Sequence, residues 1–218
     1  MVINYFQRRE EAEAVVAAIQ GTGGRALAVQ ADVSDRGAVE AMFRAIDERL
    51  GRLDILVNNA GIASRVDSIT AITDESWHRT LAVNLDGAFF CLRAAIPRLR
   101  AAGRGRIVNI SSGAALTGGV IGAHYAASKA GLLALTAKAA RELAREGIDV
   151  NAVLPSVIET DMVDQIATGT EARERLSAAF PIGRFGRAEE VAQVVRFLCL
   201  DAPDYLTGEF ISLRGARL

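Results

Sequence analysis

The sequence predicts an α/β domain built as a doubly wound, mostly parallel sheet with helices on both faces. Apolar runs alternate with amphipathic stretches almost to the end of the chain, as strand and helix do in such folds. Several of those runs are continuous rather than polar at every second position, which means burial on both faces of the sheet. At 218 residues, 50% of them hydrophobic and 23% charged, the chain has material for one sizeable core. No repeat, linker or low-complexity segment divides it, so residues 1–218 read as a single domain.

The elements follow in order. "VINYF" (2–6) reads as a strand, and residues 9–20 as a helix with Ala14, Val15, Ala18 and Ile19 on one face. "GTGG" breaks that helix before the strand "ALAVQAD". Ser34 is the expected N-cap of the next helix, which stops at Gly51. "LDILVNNAG" is a β-rich run ending in a polar turn, and one long helix is expected over residues 75–101. "GRIVNISS" is a buried strand, residues 125–146 a second long helix, and "IDVNAVLP" a strand ended by Pro155. Residues 156–180 lack a strong period and read as a mobile loop with short helices. "RAEEVAQVVRFLCL" and "EFISL" supply the last helix and strand.

A net charge of −1 and a pI near 6.2 argue against nucleic acid or an anionic membrane as a partner. No apolar run reaches the roughly 18 residues of a membrane span. The first apolar stretch is short and meets Arg8, Arg9, Glu10 and Glu11, unlike a signal peptide. Cys91 and Cys199 sit in apolar helical contexts and are expected to be buried free thiols, which suits a cytoplasmic location. His78 reads as a surface or packing residue, and His124 as a wall position beside Tyr125. No ligand cluster for a metal is visible. A serine hydrolase built on Ser112 and His124 is excluded by the absence of a G-x-S-x-G elbow.

One stretch, "GTGGRA" (21–26), matches a dinucleotide fingerprint literally, but a helix precedes it and a strand follows, the reverse of the order that aims a diphosphate at a helix N-terminus. These are helix-ending glycines. The chemistry lies elsewhere, in "HYAASK". Tyr125 and Lys129 are four apart, so a phenol and an ammonium share one helical face. A nearby cation lowers a phenol's pKa from about 10 and makes it a usable acid and base for alcohol/carbonyl conversion. Ser112 lies thirteen residues upstream, at the strand edge where open α/β sheets bind ligands. Asn58 to Gly61 form the turn after "LDILV", and Asn84 falls inside a long helix despite its poor helix propensity.

Taken with "ADVSD", "VNLDGAFF", "IETDM", "GRAEEVA" and "YLTGE", in this order and spacing, these residues resemble the short-chain dehydrogenase/reductase family, closest to 3-oxoacyl-carrier-protein reductases. The resemblance covers nearly the whole chain. It implies a Rossmann-like sheet and a carbonyl/alcohol oxidoreductase that uses NADP or NAD. Tyr125 would be the proton donor, Ser112 would bind the substrate oxygen, and Lys129 would hold the nicotinamide ribose and lower the Tyr125 pKa. Asn84 would position a water of the proton relay. Asp32 and Val33 would flank the adenine, and Asn58, Ala60 and Gly61 the middle of the cofactor. Ile158 and Thr160 would meet the carboxamide. Arg8, with no acid after the strand until Glu10, favours a 2′-phosphate and hence NADP. The substrate would be a small carbonyl compound or acyl thioester, residues 156–180 its lid, and the assembly a homo-oligomer, tetramer or dimer.

The pattern departs from the family at three places. Pro155–Ser156 stands for the usual Pro-Gly, and "LRGARL" for a more usual Asp-Gly-Gly. The family's first strand, Gly-rich turn and first helix have no counterpart, so the fold is expected to lack its central strand and to be N-terminally incomplete. Each buried backbone group so orphaned would cost on the order of 1–3 kcal/mol, and the domain is expected to rearrange to absorb it. The alternatives to a 3-oxoacyl thioester reductase are a sugar or secondary-alcohol dehydrogenase of the same family, or a truncated non-enzymatic paralogue acting as an oligomerisation partner.

Overall fold

The sheet comes in two pieces. In this computed structural model, which describes residues 1–216, β1 (Val2–Tyr5) pairs in parallel with β2 (Leu27–Gln30). A second parallel sheet runs β3 (Ile55–Asn58), β4 (Gly105–Ile110), β5 (Ile148–Pro155) and β6 (Phe210–Leu213). The division falls between β1 and β3, where the resemblance puts a further strand. Among the described residues β1 and β3 do not pair with each other, so the expected rearrangement does not take that form.

Burial follows the pairing. All of β5 is buried, with neighbours on both edges and helices on its faces. Its polar residues are compensated: Asp149 by Arg106, and Asn151 by the Leu206 carbonyl (2.8 Å) and the Glu209 N–H (2.9 Å). Burial on both faces, expected of the apolar strands generally, does not hold for β1 and β3. β1 is only half-buried and Val57 of β3 is 40% exposed, because each of these strands has one edge without a paired neighbour among the described residues.

Helices fill the connections: α1 (Arg9–Gly21), α2 (Arg36–Leu50), α3 (Asp74–Leu81), α4 (Gly87–Ala102), α5 (Ala114–Thr117), α6 (Ala123–Leu143), α7 (Thr170–Ala178) and α8 (Ala188–Arg196). Val39, Met42, Phe43 and Ile46 of α2 recur at helical spacing and pack with Cys91, Leu92, Ala95 and Leu99 of α4. That cluster continues to Ile107 of β4 and Ile148 and Val150 of β5. The cap of α2 is Asp35, not Ser34. The Asp35 carboxylate accepts from Gly37 and Ala38 N–H (2.7 and 3.2 Å), while Ser34 spends its hydroxyl on Asp32 (2.6 Å). Gly51 ends α2 with φ +73°, as the sequence leads one to expect.

The helix expected over 75–101 is interrupted. A π-turn at Ala82–Asp86 separates α3 from α4 and carries Asn84. Of the two thiols, Cys91 is buried and its pKa is raised to about 11 by that burial. Cys199, expected to be buried, is only half so, in a second π-turn at Phe197–Asp201. Residues 156–180 contain a 3₁₀ turn (Asp161–Gln165) and α7. Part of this segment, Val163, Ala167 and Phe180, packs with Phe185 as a small apolar cluster of its own.

A buried polar chain ties three elements together. Asn58 Nδ2 donates to Asn109 Oδ1 (2.9 Å), Asn109 Nδ2 to Thr136 Oγ1 (2.8 Å), and Thr136 Oγ1 to the Leu132 carbonyl (2.8 Å). It runs from β3 through β4 to α6. Replacing its centre, Asn109→Ala, strands the Asn58 amide and leaves a cavity. Urea unfolding is expected to show a loss of about 2–4 kcal/mol. Thr136→Val, which removes the last two links and leaves the buried Asn109 Nδ2 without its acceptor, is expected to cost about 1–3 kcal/mol.

Candidate active site

The C-terminal end of β4 is stitched down on two sides. Ser111 donates its N–H to the Val153 carbonyl of β5 (2.8 Å) and its hydroxyl to the Lys129 carbonyl of α6 (2.8 Å). The next residue, Ser112, is thereby carried to the sheet edge, where its hydroxyl accepts the Ala114 N–H (3.1 Å). Tyr125 and Lys129 come from the first turns of α6 and are 7% and 4% exposed. Lys129 Nζ donates to the Ile110 carbonyl (2.8 Å) and lies 5.9 Å from the centre of the Tyr125 ring.

Burial dominates the titration of both groups. It lowers the Lys129 ammonium to a pKa of about 8. It raises the Tyr125 phenol above its ordinary value, and the Ser112 hydroxyl draws it back only in part. The sequence reading has Lys129 lowering the Tyr125 pKa. In this structure burial is the largest influence on the phenol and the Ser112 hydroxyl the one that opposes it, so the protonated form is favoured. It is an acid in waiting.

Asn84 is buried, and its amide forms a two-way pair with the backbone of Ile62. Oδ1 accepts the Ile62 N–H (2.8 Å), Nδ2 donates to the Ile62 carbonyl (3.0 Å), and Nδ2 also reaches Ser128 Oγ (3.1 Å). The π-turn is what points this side chain at the loop after β3. Gly61 closes the arrangement: a Cβ there would stand 3.3 Å from Lys129 Nζ and 3.4 Å from Asn84 Oδ1.

Gly61, Ser112, Tyr125, Lys129, Ile158 and Thr160 line one cleft of about 430 Å³. The structure does not bring every expected residue to it. The Asn58 side chain belongs to the buried polar chain instead of lining the cleft, because its amide is spent on Asn109. Ala60 is exposed and is not part of the cleft lining. The Asp32 carboxylate, pushed up by burial, is brought below its usual range by Ser34 and Arg79 and closes a local turn. Val33 packs so tightly on Gly87 that a Cβ there would meet it at 2.7 Å. Exposed Arg8 pairs with exposed Asp161 (2.9 Å), linking the end of β1 to the segment expected to be a lid. His78 is exposed as expected. His124 is not a wall position: it is fully buried, outside the cleft lining, and its ring nitrogens have no partner among the described residues.

Asn59, within the turn expected to follow the cofactor, does line the cleft, whereas Arg214 was hidden in the uninformative tail "LRGARL". Strand pairing is what brings Arg214 in, since Leu213 pairs with Pro155.

The residues suit the nicotinamide and ribose half of a dinucleotide. Bare backbone at Gly61 lies beside a buried ammonium, with Ile158 and Thr160 in the same cleft wall, and no Asp or Glu lines it.

A protonated phenol beside a serine, at the C-terminal edge of a parallel α/β sheet, marks an oxidoreductase that exchanges a proton with an alcohol or carbonyl oxygen. The comparisons with known proteins agree. A family model described as enoyl-(acyl carrier protein) reductase matches residues 1–215. The 3-oxoacyl-[acyl-carrier-protein] reductase FabG of Staphylococcus aureus (strain Mu50) is 40% identical over 215 residues, 99% of this chain and 86% of that protein. The 3-oxoacyl-[acyl-carrier-protein] reductase of Synechocystis sp. is 38% identical over 216 residues, 99% of this chain and 85% of that protein. A gluconate 5-dehydrogenase from Burkholderia cenocepacia J2315, solved with NADP and tartrate, superposes with TM-score 0.90 at 31% identity, covering 98% of this chain and 83% of that one. The chain belongs to the short-chain dehydrogenase/reductase family and is an NAD(P)-type oxidoreductase.

The Lys129 shift makes a stability prediction. Its folded pKa, about 8, lies below the ordinary 10.5, so the folded state carries a penalty at pH below 8 that fades as pH rises to 10.5. Lys129→Met is therefore expected to stabilise the fold by about 2 kcal/mol at pH 6.5, after allowance for the lost Ile110 bond, with no advantage left near pH 10.5. Urea midpoints at the two pH values check the sign. Destabilisation at pH 6.5 would contradict it.

Proposed function

We propose that the protein reduces a carbonyl to a secondary alcohol with NADPH, its substrate a 3-oxoacyl thioester. The observation that carries this reading is the buried Tyr125 phenol, partnered by the Ser112 hydroxyl in the cleft wall, where burial favours its protonated form. NADPH, when bound, supplies the hydride. Ser112 donates a hydrogen bond to the substrate oxygen and Tyr125 delivers the proton to it. Lys129, anchored on Ile110, faces the ribose and replenishes the Tyr125 proton, while Asn84 holds the Ile62 loop against α6 and is the site of the relay water. The fold as a single domain, with residues 156–180 as the lid over the substrate, belongs to this reading.

The thioester is favoured by the two curated relatives, both named for 3-oxoacyl-carrier-protein reduction. NADP is favoured by Arg8 at the end of β1, by the lack of an acid there before Glu10, and by the NADP in the Burkholderia cenocepacia enzyme. The Arg8–Asp161 pair is exposed on both sides and weak enough to be exchanged for a phosphate. Assembly through α4 and α6 into a homo-oligomer is part of the proposal. Phe89 of α4 is 40% exposed, with the Arg93 guanidinium 5.1 Å from its ring centre.

NADPH oxidation with a 3-oxoacyl thioester tests the reading. Tyr125→Phe is expected to lower kcat by about 10³-fold and Ser112→Ala by about 10²-fold, with NADPH binding retained in both. Full activity in Tyr125→Phe would overturn the assigned role. Arg8→Ala is expected to weaken NADPH about tenfold without weakening NADH. Light scattering that finds only monomer would remove the oligomer from the proposal.

A further inference from the structure

The cleft holds a cation that the chemistry described so far does not use. Leu213 of β6 pairs with Pro155, and its carbonyl accepts the Ser156 N–H (2.9 Å), so Arg214 leaves the sheet edge directly beside the end of β5. Its stem lies against the residue after Ser112: a Cβ on Gly113 would stand 3.4 Å from Arg214 Cδ. Gly113 is itself fixed by its N–H to the Pro155 carbonyl (2.9 Å). The ends of β4, β5 and β6 therefore bring Ser112, Ser156 and Arg214 to one wall.

Charge singles this arginine out. Arg214 is half-buried and makes no ion pair or hydrogen bond with the described residues. Its neighbours are engaged: Arg184, across the adjoining small cavity, holds both oxygens of Glu190 (2.7 and 2.8 Å), and Arg173 holds Asp164 and Glu159. Among the described residues the main cleft is lined by no Asp or Glu. Among those residues its charged side chains are Lys129, which donates one bond to Ile110 and serves the chemistry above, and Arg214. A half-desolvated guanidinium in an acid-free cleft is under-solvated until an oxyanion meets it, and its planar fork matches a carboxylate or phosphate.

We propose that Arg214 is the anion receptor of the substrate cleft, so that the carbonyl compound reduced here carries a terminal oxyanion, a carboxylate or a phosphate. This rests on the carbonyl reduction proposed above but not on its thioester. The receptor selects a chain whose far end is an oxyanion over the same chain ended by a neutral ester, a condition that a 3-oxoacyl thioester with such an end also meets. Arg214 binds and orients; Tyr125 and Ser112 still do the chemistry.

Paired substrates test it. A linear oxo acid, its methyl ester and a phosphorylated ketone of similar length are assayed with NADPH on the wild-type chain, Arg214→Gln and Arg214→Lys. The wild type is expected to favour the acid or the phosphate over the ester by tenfold or more in kcat/KM. Whichever anion leads identifies the group. In Arg214→Gln that ratio is expected to collapse toward one, mainly through KM, and Arg214→Lys to restore part of it. An ester used as well as the acid overturns the proposal without need of a variant. So does a loss in Arg214→Gln that falls equally on acid and ester, as a merely structural role would give. If no carbonyl is reduced at all, the activity reading fails on its own, and calorimetry decides the receptor separately. The corresponding hydroxy acid and an organic phosphate are titrated into the wild type and Arg214→Gln. Binding of either lost in the variant upholds the receptor, and no binding of either to the wild type, or binding unchanged in the variant, overturns it.

Discussion

An ammonium withdrawn almost entirely from water, with one backbone carbonyl as its acceptor, sets the terms for everything around it. Burying such a charge is costly, and the surroundings of Lys129 are arranged to hold it there anyway. The Ser111 hydroxyl grips the lysine's own carbonyl and clamps α6 to the end of β4. Gly61 leaves the space that Nζ and Asn84 Oδ1 share. Asn84 reaches that place only because a π-turn rotates it out of the register a continuous helix would impose. Strain and desolvation collect where a reaction needs a defined proton donor, and the apolar core supplies the stability that offsets them.

The same logic separates the stable half of the molecule from the open half. β4 and β5 are flanked on both edges, and the site is built on their C-terminal ends. β1 and β2 form a smaller sheet, joined to the rest through the apolar contacts of Val2 and Val29 with the main core rather than through strand hydrogen bonds. The candidate catalytic side chains thus stand at or against the doubly flanked strands, Ser112 just past the end of β4 and Tyr125 and Lys129 on α6, which Ser111 clamps to it. The expected adenine contacts, Arg8, Asp32 and Val33, stand on the part that lacks a shared ladder.

His124 is a second unfavourable feature of the same region. Its ring is fully buried, both nitrogens are unpaired among the described residues, and it packs where a Cβ on Gly122 would meet it at 2.8 Å. Gly122 adopts φ +148°, which a side chain would strain, so the turn into α6 is shaped to admit the ring. Beside it, the Val66 N–H donates to the Ile121 carbonyl (2.8 Å) and holds the loop after β3 against that turn. Ile121 lines the cleft, so the imidazole acts as packing beneath the wall rather than as part of it.

The sequence by itself determined the fold class, the order of the strands and which residues are candidates for the catalytic set. Continuous apolar runs point to a covered parallel sheet, the spacing of Tyr125 and Lys129 puts them on one helical face, and the family resemblance adds Ser112 and Asn84 to them. Those signals are short-range, a helical turn or a strand end, so the chain states them directly. What the tertiary structure alone decided were matters of competition between distant groups. Asn58 faces inward because Asn109 of another strand accepts its amide. Asp35 caps α2 because Asp32 has already taken Ser34. The Tyr125 phenol is pushed toward its protonated form because the fold buries it beside Ser112. Arg214, indistinct in a short polar tail, becomes part of the cleft wall only when β6 pairs with β5 and carries it there. Spacing along the chain shows which groups are available, and packing decides which of them water, charge and hydrogen bonds leave free to act.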